Sequence, residues 1–117
     1  MSDTITIYYN PRCSKSRATL ELLKTNNREP EVIEYLNAPP AKETLEVILG
    51  MLGMEPRDLM RTHEKEYAEA GLDNPDLSRA ELIAAMIQYP RLIERPIVVT
   101  DGKAAIGRPP EKVLDIL

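Results

Sequence analysis

Along the first third of the chain, hydrophobic and polar positions repeat with a strand-like period, then a helix-like one. Residues 5–9 are rich in β-branched and aromatic side chains, which is typical of a strand. Residues 14–25 place apolar side chains at helical spacing, which predicts a helix. Residues 31–35 resemble the first block. The pattern therefore predicts a strand, a helix and a second strand.

The middle of the chain predicts helices separated by strong breakers. A double proline at 39–40 precedes an apolar stripe of helical period. Residues 56–61 and 64–70 then predict two short helices. Ser78 lies three residues before Glu81, which is the spacing of a capping box at the start of a further helix.

The last fifth of the chain predicts a hairpin and a terminal helix. Residues 97–100 form a short apolar strand, and Asp101-Gly102 is a typical two-residue hairpin turn. Residues 103–106 then form the return strand, and a proline-rich segment from Arg108 begins the last helix. The positions expected to face inward from that helix are Val113, Leu114 and Leu117.

The order of these elements predicts the fold class. A βαβ unit requires parallel strands, whereas the two-residue turn makes the last two strands antiparallel. We therefore expect an α/β protein with a thioredoxin-like fold, in which a mixed four-stranded sheet has flanking helices. A helical insertion separates its βαβ half from its ββα half. At 117 residues, positions 1–117 are expected to form a single domain.

Composition narrows the function classes. The net charge is −4, so the chain lacks the excess of basic residues that binding to nucleic acid requires, and a nucleic-acid partner is not expected. No apolar run approaches the ~18 residues of a membrane span, so no membrane partner is expected. A single cysteine excludes an internal disulfide and a multi-cysteine zinc site. We expect a cytoplasmic protein with no bound cofactor or metal.

Cys13 is the candidate reactive group because it lies where the first predicted strand ends and the first helix begins. Free N–H groups and the dipole at a helix start stabilise a thiolate and can also hold an oxyanion. Arg12, Lys15 and Arg17 add positive charge nearby. These features predict a thiol pKa below the free value of about 8.5. The alternative is a buried, inert cysteine.

Arginines occur at later junctions that could also hold an anion. Arg95 directly precedes Pro96 at the start of a strand, and its guanidinium suits bidentate binding of an oxyanion. Pairing with Glu94 at the surface is the alternative. Arg108 stands between a strand and a helix that begins with proline. Anion binding and an ordinary surface position are equally compatible with the sequence there. Arg61 ends a predicted short helix, where a cation also complements the dipole.

Three segments at ordered spacing carry a resemblance to a known family: Tyr8–Arg17, Glu94–Val99 and Gly107–Glu111. Together they resemble the glutaredoxin-coupled, glutathione-dependent arsenate reductase family, and the similarity spans nearly the whole chain, as in a short member. The resemblance implies a thioredoxin-like fold, an arsenate oxyanion as substrate, and glutathione and glutaredoxin as partners. Glutathione would act as a thiol co-substrate.

The resemblance also implies roles for particular residues. Cys13 would be catalytic, and Pro96 would be the cis-proline facing it. The arginines that would bind substrate are Arg61, Arg95 and Arg108. The supporting positions are Tyr9, Asn10, Arg12, Ser14, Lys15, Ser16, Arg17 and Pro96. Longer members have a histidine at the position of Tyr9, which is thought to help lower the thiol pKa.

Two other function classes remain open. A regulatory or protein-binding module similar to Spx shares this family fold, but it typically has a second cysteine where this chain has Ser16. A glutathione-dependent thiol oxidoreductase with another substrate is also compatible. A low-molecular-weight phosphatase is discounted, because it has five residues between its cysteine and arginine, and Cys13 and Arg17 have three between them.

Overall fold

In a computed structural model, the described residues 4–117 divide into two compact units. The first comprises the chain up to Ala38 together with Arg95–Leu117, and the second comprises Pro39–Glu94. The first unit contains all the strands of the sheet, and the second is built from helices and turns.

A four-stranded mixed sheet forms the centre of the first unit, as predicted. Its strands are β1 (Ile5–Tyr9), β2 (Glu31–Glu34), β3 (Ile97–Thr100) and β4 (Lys103–Ile106). The order across the sheet is β2-β1-β3-β4, with β1 parallel to β2 and antiparallel to β3, and β3 antiparallel to β4. This confirms the thioredoxin-like arrangement. The second strand ends at Glu34, one residue earlier than predicted.

Helix α1 (Ser14–Thr25) follows β1, and its inner face is buried. Leu23 on this face packs in a hydrophobic cluster. The members of that cluster are Ile5, Ile7, Leu23, Val98 and Val113. The helix stops where the sequence indicated, because Asn26 caps its end and Asn27 adopts a left-handed backbone with φ 63°. Helix and sheet therefore share one aliphatic core.

The hairpin is confirmed, and the terminal helix differs from the prediction. Asp101 and Gly102 have φ of 50° and 73°, as a type I′ turn between twisted strands requires. The terminal segment Pro110–Ile116 is a 3-10 helix. Because side chains three apart share a face in such a helix, Val113 and Ile116 pack on the core. Leu114 is 39% exposed, so its predicted inward orientation is wrong.

The second unit has three α-helices, namely α2 (Lys42–Leu52), α3 (Lys65–Glu69) and α4 (Arg79–Gln88). Where a short helix was predicted over residues 56–61, the chain forms only a 3-10 turn, Pro56–Leu59. The predicted capping box opens α4, since the Glu81 N–H donates to Ser78 Oγ and the Ser78 N–H donates to Glu81 Oε1. Within residues 4–117, no helix has the length and apolar character needed to cross a membrane.

Candidate active site around Cys13

The turn between β1 and α1 is built by Asn10, whose side chain is buried. Its Oδ1 accepts a hydrogen bond from the Arg12 N–H at 2.9 Å, and its carbonyl accepts one from the Cys13 N–H at 3.0 Å. Asparagine stabilises such turns because its side chain mimics a backbone acceptor. The two bonds fix the backbone that carries the sulfur.

Cys13 occupies the N-cap position of α1, with an extended backbone at φ −98° and ψ 121°. Its side chain is only 8% exposed. The side chain of Cys13 does not cap the helix with a hydrogen bond, and the N–H groups of the first turn, which have no intrahelical acceptor, can stabilise a thiolate. The predicted junction of strand and helix is therefore where the cysteine lies.

The pKa of the Cys13 thiol is lowered to about 7 by a balance of opposing effects. Burial raises the pKa, because a thiolate loses solvation. The backbone N–H groups of Ser16 and Lys15, the Ser16 hydroxyl and the Arg95 side chain lower it by hydrogen bonding to the charged form. The cysteine is thus buried, as the inert alternative required, but its thiolate is stabilised.

Ser16 supports the sulfur from within the protein, because its side chain is fully buried. Its Oγ accepts a hydrogen bond from the Asn10 N–H at 3.3 Å. A hydroxyl can accept and donate at once, and hydrogen bonding of the same group to the thiolate lowers the pKa of Cys13. Ser16 therefore connects the turn, the helix and the reactive atom.

Sheet topology brings Arg95 and Arg108 to Cys13. Antiparallel pairing places Ile97 opposite Tyr8 and Ile106 opposite Ile97. The start of β3 and the end of β4 therefore lie at the same edge of the sheet as the end of β1. Both arginines belong to the connections at this edge.

The contacts of the two arginines place positive charge beside the sulfur. Arg108 Nη2 lies 3.8 Å from Cys13 Sγ, and its Nε donates to the Arg95 carbonyl at 2.7 Å. Arg95 Nε is buried and has no hydrogen-bond partner among residues 4–117. The peptide bond before Pro96 is cis, as the resemblance implied, and so is the one before Pro109. The arrangement leaves a buried N–H donor beside an anionic nucleophile.

The other cations named from the sequence lie on the exposed side of the turn and of the first helical turn. Arg12 and Lys15 are exposed, and Lys15 acts on the sulfur through its backbone N–H. The exposed Arg17 donates from Nη1 to the Pro11 carbonyl at 2.8 Å, which ties the turn to the helix. The causes that lower the pKa of Cys13 are hydrogen-bond donors, and a supporting role for these three charges stays a prediction.

Three remaining positions of the motif have simpler surroundings. Ser14 and Pro11 are exposed, whereas Tyr9 is half-buried at the end of β1. Tyr9 is absent from the groups that shift the pKa of Cys13. The first turn and Arg95 therefore lower that pKa where longer family members were expected to use a histidine.

Arg61 belongs to the second unit and lies two residues beyond the 3-10 turn, so the helix-end explanation for it is wrong. Its side chain is 12% exposed. Its Nε pairs with Glu64 Oε2 at 3.1 Å and its Nη1 with Glu94 Oε1 at 3.3 Å, while Nη2 lies 3.2 Å from His63 Nε2. Carboxylates compensate its charge, and its role as a substrate ligand stays a prediction.

The family model that matches this chain is that of the ArsC family, over residues 8–116. The chain belongs to the ArsC family. A relative named arsenate reductase, from Haemophilus influenzae, is 47% identical over 97% of this chain and 99% of its own length. Another ArsC relative, the uncharacterized protein YfgD of Escherichia coli, is 54% identical over 100% of this chain and 99% of its own.

A solved structure gives the same result for the ArsC fold. The arsenate reductase from Vibrio cholerae superposes with a TM-score of 0.95 at 50% sequence identity. The match covers 97% of this chain and 98% of that one. The whole described architecture is therefore that of an ArsC protein.

One feature of the ArsC site was not predicted from the sequence. Gly107 donates its N–H to the Pro96 carbonyl at 2.9 Å. A side-chain carbon at Gly107 would collide with Thr19 of α1 and with Pro96 Cγ. Glycine is therefore required where the connection after β4 crosses the helix, and the only signal for it was a glycine directly before Arg108.

Proposed function

We propose that this ArsC chain is an arsenate reductase that converts arsenate to arsenite through Cys13. The observation that carries the proposal is a thiol with a pKa of about 7 held beside two guanidinium groups, those of Arg95 and Arg108. At pH 7 about half of such thiols are thiolates, which is the nucleophilic form. The family membership and the names of the relatives support the same activity.

In the first step, the Cys13 thiolate attacks arsenic(V) and an arsenate oxygen leaves as water after protonation. An anionic nucleophile and an oxyanion repel each other, so the approach requires positive charge and N–H donors at the site. Arg108 lies beside the sulfur, and the buried Arg95 Nε is available to an arsenate oxygen. The product is a thio-arsenate bonded to Cys13.

In the second step, an external thiol completes the two-electron reduction. Glutathione attacks the Cys13 sulfur, and the electron pair of the sulfur–arsenic bond stays on arsenic, which leaves as arsenite. The protein retains a mixed disulfide between Cys13 and glutathione. Glutaredoxin then removes the glutathione by thiol–disulfide exchange and restores the thiol. A cytoplasmic location belongs to the proposal, because a free thiol persists in that reducing compartment.

Arg61 is proposed as a third ligand for arsenate, on the strength of the motif match. Its guanidinium carries three nitrogen donors, and its contacts to Glu64 and Glu94 hold it nearly buried. An arsenate oxygen would have to compete with these carboxylates or share the donors with them. Arg61→Ala should therefore raise the KM for arsenate. It should leave the rate of Cys13 alkylation, which reports the reactivity of the thiol itself, nearly unchanged.

A coupled assay with glutathione, glutaredoxin and NADPH tests the proposal. Arsenate-dependent NADPH oxidation should be lost in Cys13→Ser, and Arg95→Ala should lower kcat/KM for arsenate by about 100-fold, as for loss of a transition-state donor. Arg28→Ala is the matched control, because Arg28 lies just beyond the opposite end of α1. Absence of arsenate turnover in the parent protein would refute the substrate, and turnover with a disulfide substrate instead would favour a different thiol oxidoreductase.

A further inference from the structure

A groove of about 340 Å³ lies in the first unit, beside the turn that carries Cys13. It is within the size range of small-molecule sites. Its lining residues are Tyr9, Asn10, Pro11, Arg12, Glu34, Leu36 and Asn37. They come from the carboxyl ends of the two parallel strands β1 and β2, and the three arginines proposed to bind arsenate are not among them.

The groove carries both signs of charge and an apolar surface. Its lining includes a basic residue, Arg12, from the turn after β1 and an acidic residue, Glu34, from the end of β2. Tyr9 and Glu34 are partners in the parallel register of β1 and β2, so their backbones are one strand spacing apart. Leu36 is 38% exposed and offers apolar contact between polar groups. The chemistry fits a short zwitterionic peptide.

The backbone of the groove also positions the sulfur. Arg12 donates its N–H to Asn10 Oδ1, and Cys13, the next residue, donates to the Asn10 carbonyl. One compact turn therefore forms a wall of the groove and carries the nucleophile. Arg12 and Cys13 are consecutive residues, so a ligand held by Arg12 would lie beside the turn that carries the sulfur.

We propose that this groove binds the thiol co-substrate, as a peptide thiol with an ammonium group and carboxylates, the chemistry of glutathione. Glu34 binds the ammonium group, and Arg12 binds a carboxylate. The inference rests on the proposed function, since it assigns the site of the external thiol that the reduction requires. Glutathione carries a net negative charge, so a glutamate near Cys13 should in general repel it. Glu34 is proposed to do the opposite, because it would bind the ammonium group directly.

Direct binding and general repulsion by a glutamate can therefore be separated in an experiment that needs no arsenate. Glutathione disulfide reacts with the Cys13 thiolate, which displaces one glutathione thiolate and forms the Cys13–glutathione mixed disulfide. The rate is followed by intact mass for the parent protein, Glu34→Gln and Glu31→Gln. Glu31 is the matched control, because it is an exposed glutamate on the same strand that does not line the groove. Neutral hydroxyethyl disulfide serves as the reference reagent.

Only Glu34→Gln is expected to react more slowly than the parent protein. Loss of the ion pair should slow Glu34→Gln by about fivefold with glutathione disulfide. Glu31→Gln should react at the parent rate or slightly faster, because it only removes a repelling charge. Hydroxyethyl disulfide should react equally with all three proteins. Equal or faster reaction of Glu34→Gln with glutathione disulfide would overturn the site, and failure of arsenate turnover alone would leave this result standing.

Discussion

The reactivity of the Cys13 sulfur depends on hydrogen bonds that stabilise its thiolate against the cost of burial. Burial raises the pKa of Cys13, and donors from the first turn of α1 and from Arg95 lower it to about 7. The thiolate fraction therefore increases as the pH rises through 7. Alkylation by iodoacetamide should be half-maximal near pH 7 and constant well above it. Because Cys13 is the only cysteine, Cys13→Ser should show no labelling, and a midpoint near the free value of about 8.5 would contradict the structure.

Ser16 is expected to be a positioning residue for the thiolate. Ser16→Ala removes a hydroxyl that donates to the sulfur and leaves the Asn10 N–H without its acceptor. A hydrogen bond worth about 1 kcal/mol corresponds to about 0.7 pKa unit, so the pKa of Cys13 should rise by about that amount. Ser14→Ala is the control, because Ser14 is exposed and does not act on the sulfur. An equal midpoint in both variants would reject this role.

Residue-scale chemistry was only partly accessible from the sequence. Position at a strand-to-helix junction identified Cys13, and placement before prolines identified Arg95 and Arg108 as candidates. Nothing in the sequence distinguished formal charge from hydrogen-bond donors as the cause of a low pKa. The contribution of Ser16 depends on its complete burial, which a polar residue near a helix start does not indicate.

At the scale of elements, α1 and the connection after β4 approach each other closely at Gly107. Gly107→Ala places a methyl group against Thr19 and Pro96, and such overpacking costs about 1–3 kcal/mol. Gly50→Ala is the control, because Gly50 lies inside α2 with no atom within 4 Å of the added carbon. That change should stabilise the protein by about 0.5–1 kcal/mol. Urea unfolding measures both, and equal midpoints for Gly107→Ala and the parent would contradict the packing.

Element boundaries followed the local signals wherever those signals were strong. The Asp101-Gly102 turn and the Ser78–Glu81 capping box were predicted because each is determined by neighbours in sequence. The terminal segment was misjudged, because α and 3-10 helices share the same apolar composition but place Leu114 on different faces. Tertiary packing decides between them, and short-range periodicity does not.

At the scale of the whole chain, the strand order assembles the site. The end of β1, the start of β3 and the end of β4 meet at one edge of the sheet, so Cys13, Arg95 and Arg108 are neighbours despite their separation in sequence. The predicted βαβ and ββα halves already contained this information, because antiparallel pairing determines which ends coincide. The ion pairs of Arg61 depend on contacts that no such rule supplies.

The number of cysteines in the chain sets a limit on the reaction. Reduction of arsenic(V) to arsenic(III) takes two electrons, which two thiols supply by forming one disulfide. With one cysteine, a single chain supplies one thiol, so the protein incubated with arsenate alone should release no arsenite. Adding glutathione should start release, measured by arsenic speciation, with one glutathione bound to Cys13 by intact mass.

Two controls separate the possible sources of the second thiol. Dithiothreitol should replace glutathione and glutaredoxin together, because a dithiol both completes the reduction and reopens the mixed disulfide. Cys13→Ser should release no arsenite with either thiol. Release of one arsenite for every two chains without added thiol would contradict the prediction. That stoichiometry requires the Cys13 residues of two chains to form a disulfide with each other, and the external thiol would then only recycle the enzyme.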